Sequence, residues 1–240
     1  MVLPVMKYRR ILLKLSGEAL SANTPVPLDS LASKAILEEI VSVANFGVQI
    51  AIVVGGGNIF RGASLATLGI DRVVGDQMGM LATLINALVL RDFFEKQGKI
   101  TKIMSAIAVG GLVPIFERAK AIRYLEKEYI VIFAMGTGNP LVSTDSAASL
   151  RGVEIGADIL LKATHVDGVF SADPKKDQRA TLHSRLTYQQ ALDRELGVMD
   201  LGAFLQCRDH NLPIHVFNIQ KQHILRDIIQ GKHRGTLISN

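Results

Sequence analysis

Short apolar runs rich in β-branched residues alternate along this chain with segments of helical period, and glycine clusters follow several of the runs. The runs at residues 10–15, 48–54, 102–106, 130–134, 158–163 and 214–217 read as strands. Helical spacing marks residues 30–45, where Leu31, Ala35, Ile36, Ile40 and Val43 recur on one face, and also about 76–96, 115–126, 144–156, 187–194 and 222–230. Strands that are apolar almost throughout must be buried on both faces, and helices between them supply the cover. The order predicts an α/β fold, a three-layer α/β/α sandwich around a mainly parallel sheet. No internal repeat or linker divides the 240 residues, so a single domain over 1–240 is expected, with residues 1–7 as a flexible extension.

In such sheets ligands collect beyond the carboxyl ends of the strands. Ser16-Gly17 follows the first run, Gly55, Gly56 and Gly57 the second, Gly136 to Asn139 the fourth, and Ala163-Thr164 with Asp167-Gly168 the fifth. The fullest of these clusters is Gly136-Thr-Gly-Asn-Pro-Leu-Val-Ser-Thr-Asp145, which joins bare amides and hydroxyls to a helix start, the combination that holds a phosphate. Gly55 to Gly57 fits either an anion site or a tight turn. Arg61, one turn further on, favours the anion. Lys14 and Lys162 each interrupt an apolar strand near its carboxyl end, where a lysine must reach solvent or meet an anion. Asp145 and Asp200 would repel phosphate unless they orient those lysines or a metal shell, and Asp145 ahead of Ser146 also fits a helix cap.

Several classes are excluded or disfavoured. No GxxxxGK[ST] or HExxH occurs, and the Gly55 cluster lacks the last glycine of a dinucleotide fingerprint. Cys207 is the only cysteine, which rules out an internal disulfide and a cysteine-cluster zinc site; a small, partly buried apolar role is expected of it. The formal charge of +5 and pI of 9.4 could suit nucleic acid, but the basic residues are dispersed among acids and aromatics reach only 5%, so small anionic substrates explain the excess. The first residues do not follow the order of a secretory signal and no apolar run is read as a membrane span, giving the expectation of a cytoplasmic protein with no membrane contact.

Five motifs in order carry a resemblance. Lys14-Leu-Ser-Gly-Glu18, Gly55-Gly-Gly-Asn-Ile-Phe-Arg-Gly62, Gly75-Asp-Gln-Met-Gly-Met80, Gly136-Thr-Gly-Asn-Pro140 with Thr144-Asp145, and Lys162-Ala-Thr-His-Val-Asp-Gly-Val-Phe170 with Ala172-Asp-Pro174 resemble the bacterial UMP kinases of the amino acid kinase superfamily. The resemblance implies transfer of the ATP γ-phosphoryl group to UMP in pyrimidine nucleotide biosynthesis. It implies that ATP contacts Lys14, Leu15, Ser16, Gly17, Gly57, Arg61, Thr164, Phe170 and Asp173. By the same route UMP contacts Gly56, Asp76 and the residues Thr137, Gly138, Asn139, Pro140, Leu141, Val142, Ser143 and Thr144. Lys14, Arg61, Asp145, Lys162 and Asp200 would be catalytic, with Mg²⁺ held mainly by ATP and water. Read without the motif, Asp76 would be a solvated acid at a helix start.

A homohexamer inhibited by UTP is also implied. Two departures from the family bear on this chain. Leu141-Val142 stands where many relatives have Phe-Phe or similar bulk, and Ala22-Asn-Thr-Pro-Val-Pro27 lacks the glycines that GTP-activated relatives carry, which argues against GTP activation. Alternatives are a superfamily relative that phosphorylates a carboxylate or carbamate, and a nucleotide-binding regulator. A carboxylate acceptor has no use for a ribose-reading Asp76.

Overall fold

The computed structural model describes residues 6–20, 31–60, 67–174, 176–177 and 179–240. The expectations for Arg61, for the 22–27 loop and for residues 1–5 therefore lie outside the described residues. Lys7 is described, and its amide donates to the Ile229 carbonyl at 2.8 Å.

Among the described residues the strands are β1 (Arg10–Leu15), β2 (Gln49–Val54), β3 (Thr101–Ser105), β4 (Ile130–Ala134), β5 (Ile159–Thr164), β6 (Arg185–Thr187), β7 (Ile214–Asn218) and β8 (Thr236–Ser239). The helices are α1 (Leu31–Ala44), α2 (Arg72–Lys96), α3 (Arg118–Glu126), α4 (Thr144–Glu154), α5 (Tyr188–Asp193), α6 (Leu201–Asp209) and α7 (Ile224–Ile229). One sheet runs in the order β3-β4-β2-β1-β5-β7-β8-β6. Every pairing is parallel except β7 with β8. All six strands expected from sequence are present, and their carboxyl ends share one rim.

Alternate residues of each strand feed two cores. Ile11, Leu13, Leu15, Ile50 and Ile52 face α1, α2 and α7. Leu12, Ala51, Val53, Val131 and Phe133 face α3 to α6. Each large aliphatic side chain so buried contributes about 1.5–3 kcal/mol, and burial of both faces is what commits apolar runs of this kind to the middle of a sandwich. The expected three-layer α/β/α architecture is the one observed.

The differences from the expected elements have physical reasons. β6 and β8 have only three and four residues, too short for a period to register. Helix α6 was not anticipated, although Ala203, Phe204 and Cys207 lie buried at helical spacing. The third helix starts at Arg118 rather than 115 because Ser105 donates to the Pro114 carbonyl and accepts from the Phe116 amide, holding that stretch extended along β3. The second helix starts earlier than 76, at Arg72, because the Asp71 side chain caps it by accepting from the Val73 and Val74 amides.

Helix α2 corrects one expectation outright: its 25 residues are long and apolar enough to cross a membrane. Asp76, Thr83 and Asn86 break up its apolar run when the letters are read in order, yet they leave its average apolar. Met80, Leu84, Ala87, Leu90 and Phe94 are buried against the sheet, as in the core helix of a sandwich.

Cys207 is fully buried rather than partly, and burial pushes its thiol up to about 12, with the Asp145 charge adding to the rise. Because the thiolate is the reactive form, the native chain should resist DTNB at neutral pH and release one equivalent only on unfolding in denaturant. Rapid labelling of the folded protein would contradict this packing.

Candidate active site

The parallel register of β1 with β5 sets Lys14 directly beside Lys162. Asp145, in the first turn of α4, lies between their ammonium groups, with Lys14 Nζ 3.0 Å from Oδ1 and Lys162 Nζ 2.7 Å from Oδ2. Lys162 also donates to the Val198 carbonyl at 2.6 Å. The three side chains are only 12 to 14% exposed, so two like charges would repel strongly here without the carboxylate.

Ser143, not Asp145, caps α4: its Oγ accepts from the Asp145 and Ser146 amides at 3.1 and 3.2 Å. The capping alternative for Asp145 is thereby overturned, and its carboxylate is free to turn toward the lysines. The Lys14 contact engages the other carboxylate oxygen, so that each oxygen of Asp145 faces one ammonium group.

Burial alone would push the Asp145 carboxyl up. The charges of Lys14 and Lys162 and the Lys162 hydrogen bond outweigh it and hold the group below the usual carboxylate range. Lys162 also titrates below its ordinary value, chiefly through burial, with Lys14 adding repulsion and Asp145 and Asp200 opposing. Asp200 precedes α6 without a capping side-chain bond and reaches Lys162 only through its charge.

A cavity of about 390 Å³ opens beside this trio, beyond the ends of β1, β2 and β4. Lys14, Ser16, Gly17 and Glu18 form one side, Gly55, Gly56 and Gly57 the floor, and Asp76, Met80 and Thr83 of α2 a wall. Gly136, Val142, Ser143 and Thr144 close the far side. Two of the glycines are required by close approach. A Cβ on Gly56 would lie 2.5 Å from the Gly79 carbonyl, and one on Gly17 would lie 2.3 Å from Asn58 Oδ1.

Asp76 is not a solvated acid at a helix start. It sits in the second turn of α2, accepts from Arg72 Nε at 3.0 and 3.1 Å, and accepts from the Leu141 amide at 2.9 Å. Leu141 has a left-handed backbone, φ 65°, which aims that amide at α2 while its side chain stays exposed. Thr137 to Pro140 form the turn beyond β4, where Thr137 Oγ1 accepts from the Asn139 amide.

The remaining expected residues lie outside the cavity lining. Leu15 is fully buried and can meet a ligand only through its backbone. Thr164 ends β5 with its hydroxyl donating to the Val166 and Phe217 carbonyls. Phe170 bridges Leu182, and the Asp173 carbonyl caps the turn at Lys176 and Asp177. Among the described residues no group of three or more His, Cys, Asp or Glu side chains could hold a metal.

Sequence reasoning missed Arg72, Thr83, Asn58 and Asn86. The Thr83 hydroxyl accepts from the Met135 amide at 2.7 Å, and Asn86 bonds the Gly55 carbonyl and Asn58. Their signal was present: Thr83 and Asn86 are polar residues inside an otherwise apolar helical run.

The amino acid kinase family matches the chain over residues 9–218. The chain is 55% identical over 231 residues to a uridylate kinase of Coxiella burnetii, covering 96% of this chain and 95% of that one. It is 52% identical over 232 residues to a uridylate kinase of Yersinia enterocolitica, covering 97% and 94%. Its fold is similar to the crystal structure of a UMP kinase from Bacillus anthracis, with TM-score 0.93, 40% identity and coverage of 97% and 96%.

Because Asp145 has a depressed pKa when folded, its pairing stabilises the protein above the unfolded carboxylate value of about 4 and is lost as pH falls through the lower folded value. Asp145→Asn should cost on the order of 3 kcal/mol near neutral pH by leaving two cations facing one another. The thermal midpoints of parent and variant should converge in acid, and a gap that stays constant down to about pH 2 would reject the pairing.

Proposed function

The chain belongs to the amino acid kinase family, and on that premise we propose that it is a UMP kinase that transfers the γ-phosphoryl group of ATP to UMP, giving ADP and UDP. The observation that carries this reading is the pair of lysines from adjacent strands, braced by one carboxylate, at the edge of a glycine-floored cavity. Asp145 neutralises one of the two positive charges, and the net positive charge left on the trio suits a transferring phosphoryl group.

The acceptor oxygen of UMP is already anionic at neutral pH. No general base is needed, so catalysis reduces to in-line positioning and charge neutralisation. Lys14, Lys162 and Arg61 neutralise the transferring group, while Asp145 and Asp200 orient the lysines. ATP lies along Leu15, Ser16, Gly17 and Gly57, with its adenosine toward Thr164, Phe170 and Asp173. UMP occupies the cavity between Gly56, Asp76 and the turn from Thr137 to Thr144, and the Asp76 carboxylate serves the ribose hydroxyls because it accepts several hydrogen bonds at once. Mg²⁺ arriving with ATP would supply further charge neutralisation. Asp145 Oδ1, the oxygen paired with Lys14 at 3.0 Å, keeps further lone pairs that could accept from a water of its shell.

The uridylate kinase relatives do not favour a carboxylate or carbamate acceptor. Within the same reading the chain is one domain, works in the cytoplasm where its nucleotides are, and is inhibited by UTP, which shares the uracil and ribose of UMP. It is a homohexamer within that reading, and the exposed stripe of Val74, Leu81 and Ile85 on α2, 46%, 52% and 46% accessible, offers a self-contact without fixing the number of copies. That stripe repeats at helical spacing and suits a second copy.

ATP and Mg²⁺ offered with UMP, CMP, dUMP, dTMP and an amino-acid acceptor should give robust transfer to UMP, and transfer to a carboxylate alone would overturn the reading. Lys14→Ala should lose at least about a hundredfold in kcat, as expected when a charge aimed at the transferring group is removed, and circular dichroism should report an intact fold. Near-normal turnover would reject the role given to Lys14.

A further inference from the structure

Asn86 is the fully buried polar residue of α2, with Leu84, Ala87 and Leu90 buried around it. A carboxamide in such a place is costly unless each of its groups is bonded. Here they are: Asn86 Nδ2 donates to the Gly55 carbonyl at 2.7 Å and to Asn58 Oδ1 at 2.8 Å, and Asn86 Oδ1 accepts from Asn58 Nδ2 at 3.2 Å. The carbonyl of Gly55 can only accept, which fixes the orientation of both amides.

From Asn58 the contact continues across the site. Asn58 Oδ1 occupies the space where a Gly17 side chain would begin, 2.3 Å from an ideal Cβ, and the Gly55 amide donates to the Leu15 carbonyl at 2.9 Å. The loop carrying Gly56 and Gly57 is therefore held from behind by α2 and pressed from the front against the strand end that carries Lys14.

We propose that Asn86 is a positioning residue for phosphoryl transfer: the paired carboxamides of Asn86 and Asn58 set the separation between the acceptor floor at Gly56 and the donor strand at Lys14 and Gly17. Asn86 touches neither nucleotide and acts through Asn58 and Gly55. A leucine of similar volume would suit the surrounding core and would leave this loop unanchored. The proposal rests on the UMP kinase reading, because the two sides of the cavity are taken as the two substrate sides.

The test compares the parent with Asn86→Ala, Asn58→Ala and the double variant, measuring kcat, both KM values, thermal midpoint and hydrogen exchange at residues 55–58. For Asn86→Ala, kcat should fall about tenfold to a hundredfold while both KM values stay within about threefold, since misplacement rather than lost binding is the defect. Asn58→Ala should fall in the same direction, and the double variant should be little worse than Asn86→Ala, as expected of residues acting as one unit. Exchange should quicken at 55–58 and stay slow in β1 and β5.

A folded Asn86→Ala with kcat within about twofold of the parent would overturn the proposal whatever its thermal midpoint, as would a change confined to KM. Should Asn86→Ala fail to fold, half-buried Asn58→Ala carries the test with the same readouts, and unchanged kcat and exchange there would overturn it. Failure of the UMP kinase reading is seen separately, in a parent that does not phosphorylate UMP before any variant is compared.

Discussion

A single carboxylate holds two strand ends together at the place where the chemistry is proposed. Lys14 and Lys162 are neighbours because β1 and β5 pair in parallel register, and a parallel pairing suits apolar strands buried on both faces. Neighbouring buried ammonium groups would be mutually destabilising, and Asp145 removes the conflict by contacting both. Its position depends in turn on Ser143, which takes the capping role and leaves the Asp145 side chain unoccupied by its own helix. Sheet register, helix cap and site charge are one arrangement, and a change to any of them alters the other two.

Helix α2 bears a comparable load on the other side of the cavity. Asp76, Thr83 and Asn86 are spaced by seven and three residues and project toward the site, where they bond the Leu141 amide, the Met135 amide and the Gly55 carbonyl. The ends of β2 and β4 and the turn after β4 are thus referred to one rigid element. Val74, Leu81 and Ile85 of the same helix are exposed. The exposed stripe and the contacts that hold the acceptor loops thus lie on the same helix.

Much of this was legible in the sequence, for identifiable reasons. Six strands were readable because each is a short, mostly apolar run closed by a turn, and the glycine clusters fell on one rim because parallel strands put their carboxyl ends together. Lys14 and Lys162 stood out as charges inside apolar strands. Asp145 did not resolve, since an acid before a serine fits a cap as well as an ion pair, and only the observed Ser143 bonds separate the two. Asn86 went unread because a hydropathy pattern counts a polar residue in an apolar run as noise, and its partners lie 28 and 31 residues away. The short β6 and β8 carry too few residues for any period, and tertiary pairing alone makes them strands.

The departure at Leu141-Val142 looks different once the turn is seen in three dimensions. The resemblance implies aromatic bulk at these positions, yet Leu141 points its side chain to solvent and uses its amide, donated to Asp76, while Val142 lines the cavity. Any residue but proline supplies that donor. What the position demands is the left-handed backbone, φ 65°, which costs a leucine about 1–2 kcal/mol. That cost is offset by a charge-assisted bond to a carboxylate already oriented by Arg72. The chain can therefore exchange aromatic bulk for aliphatic here without touching the contact that ties the turn to α2, and the identity of the residue matters less than the direction of its N–H.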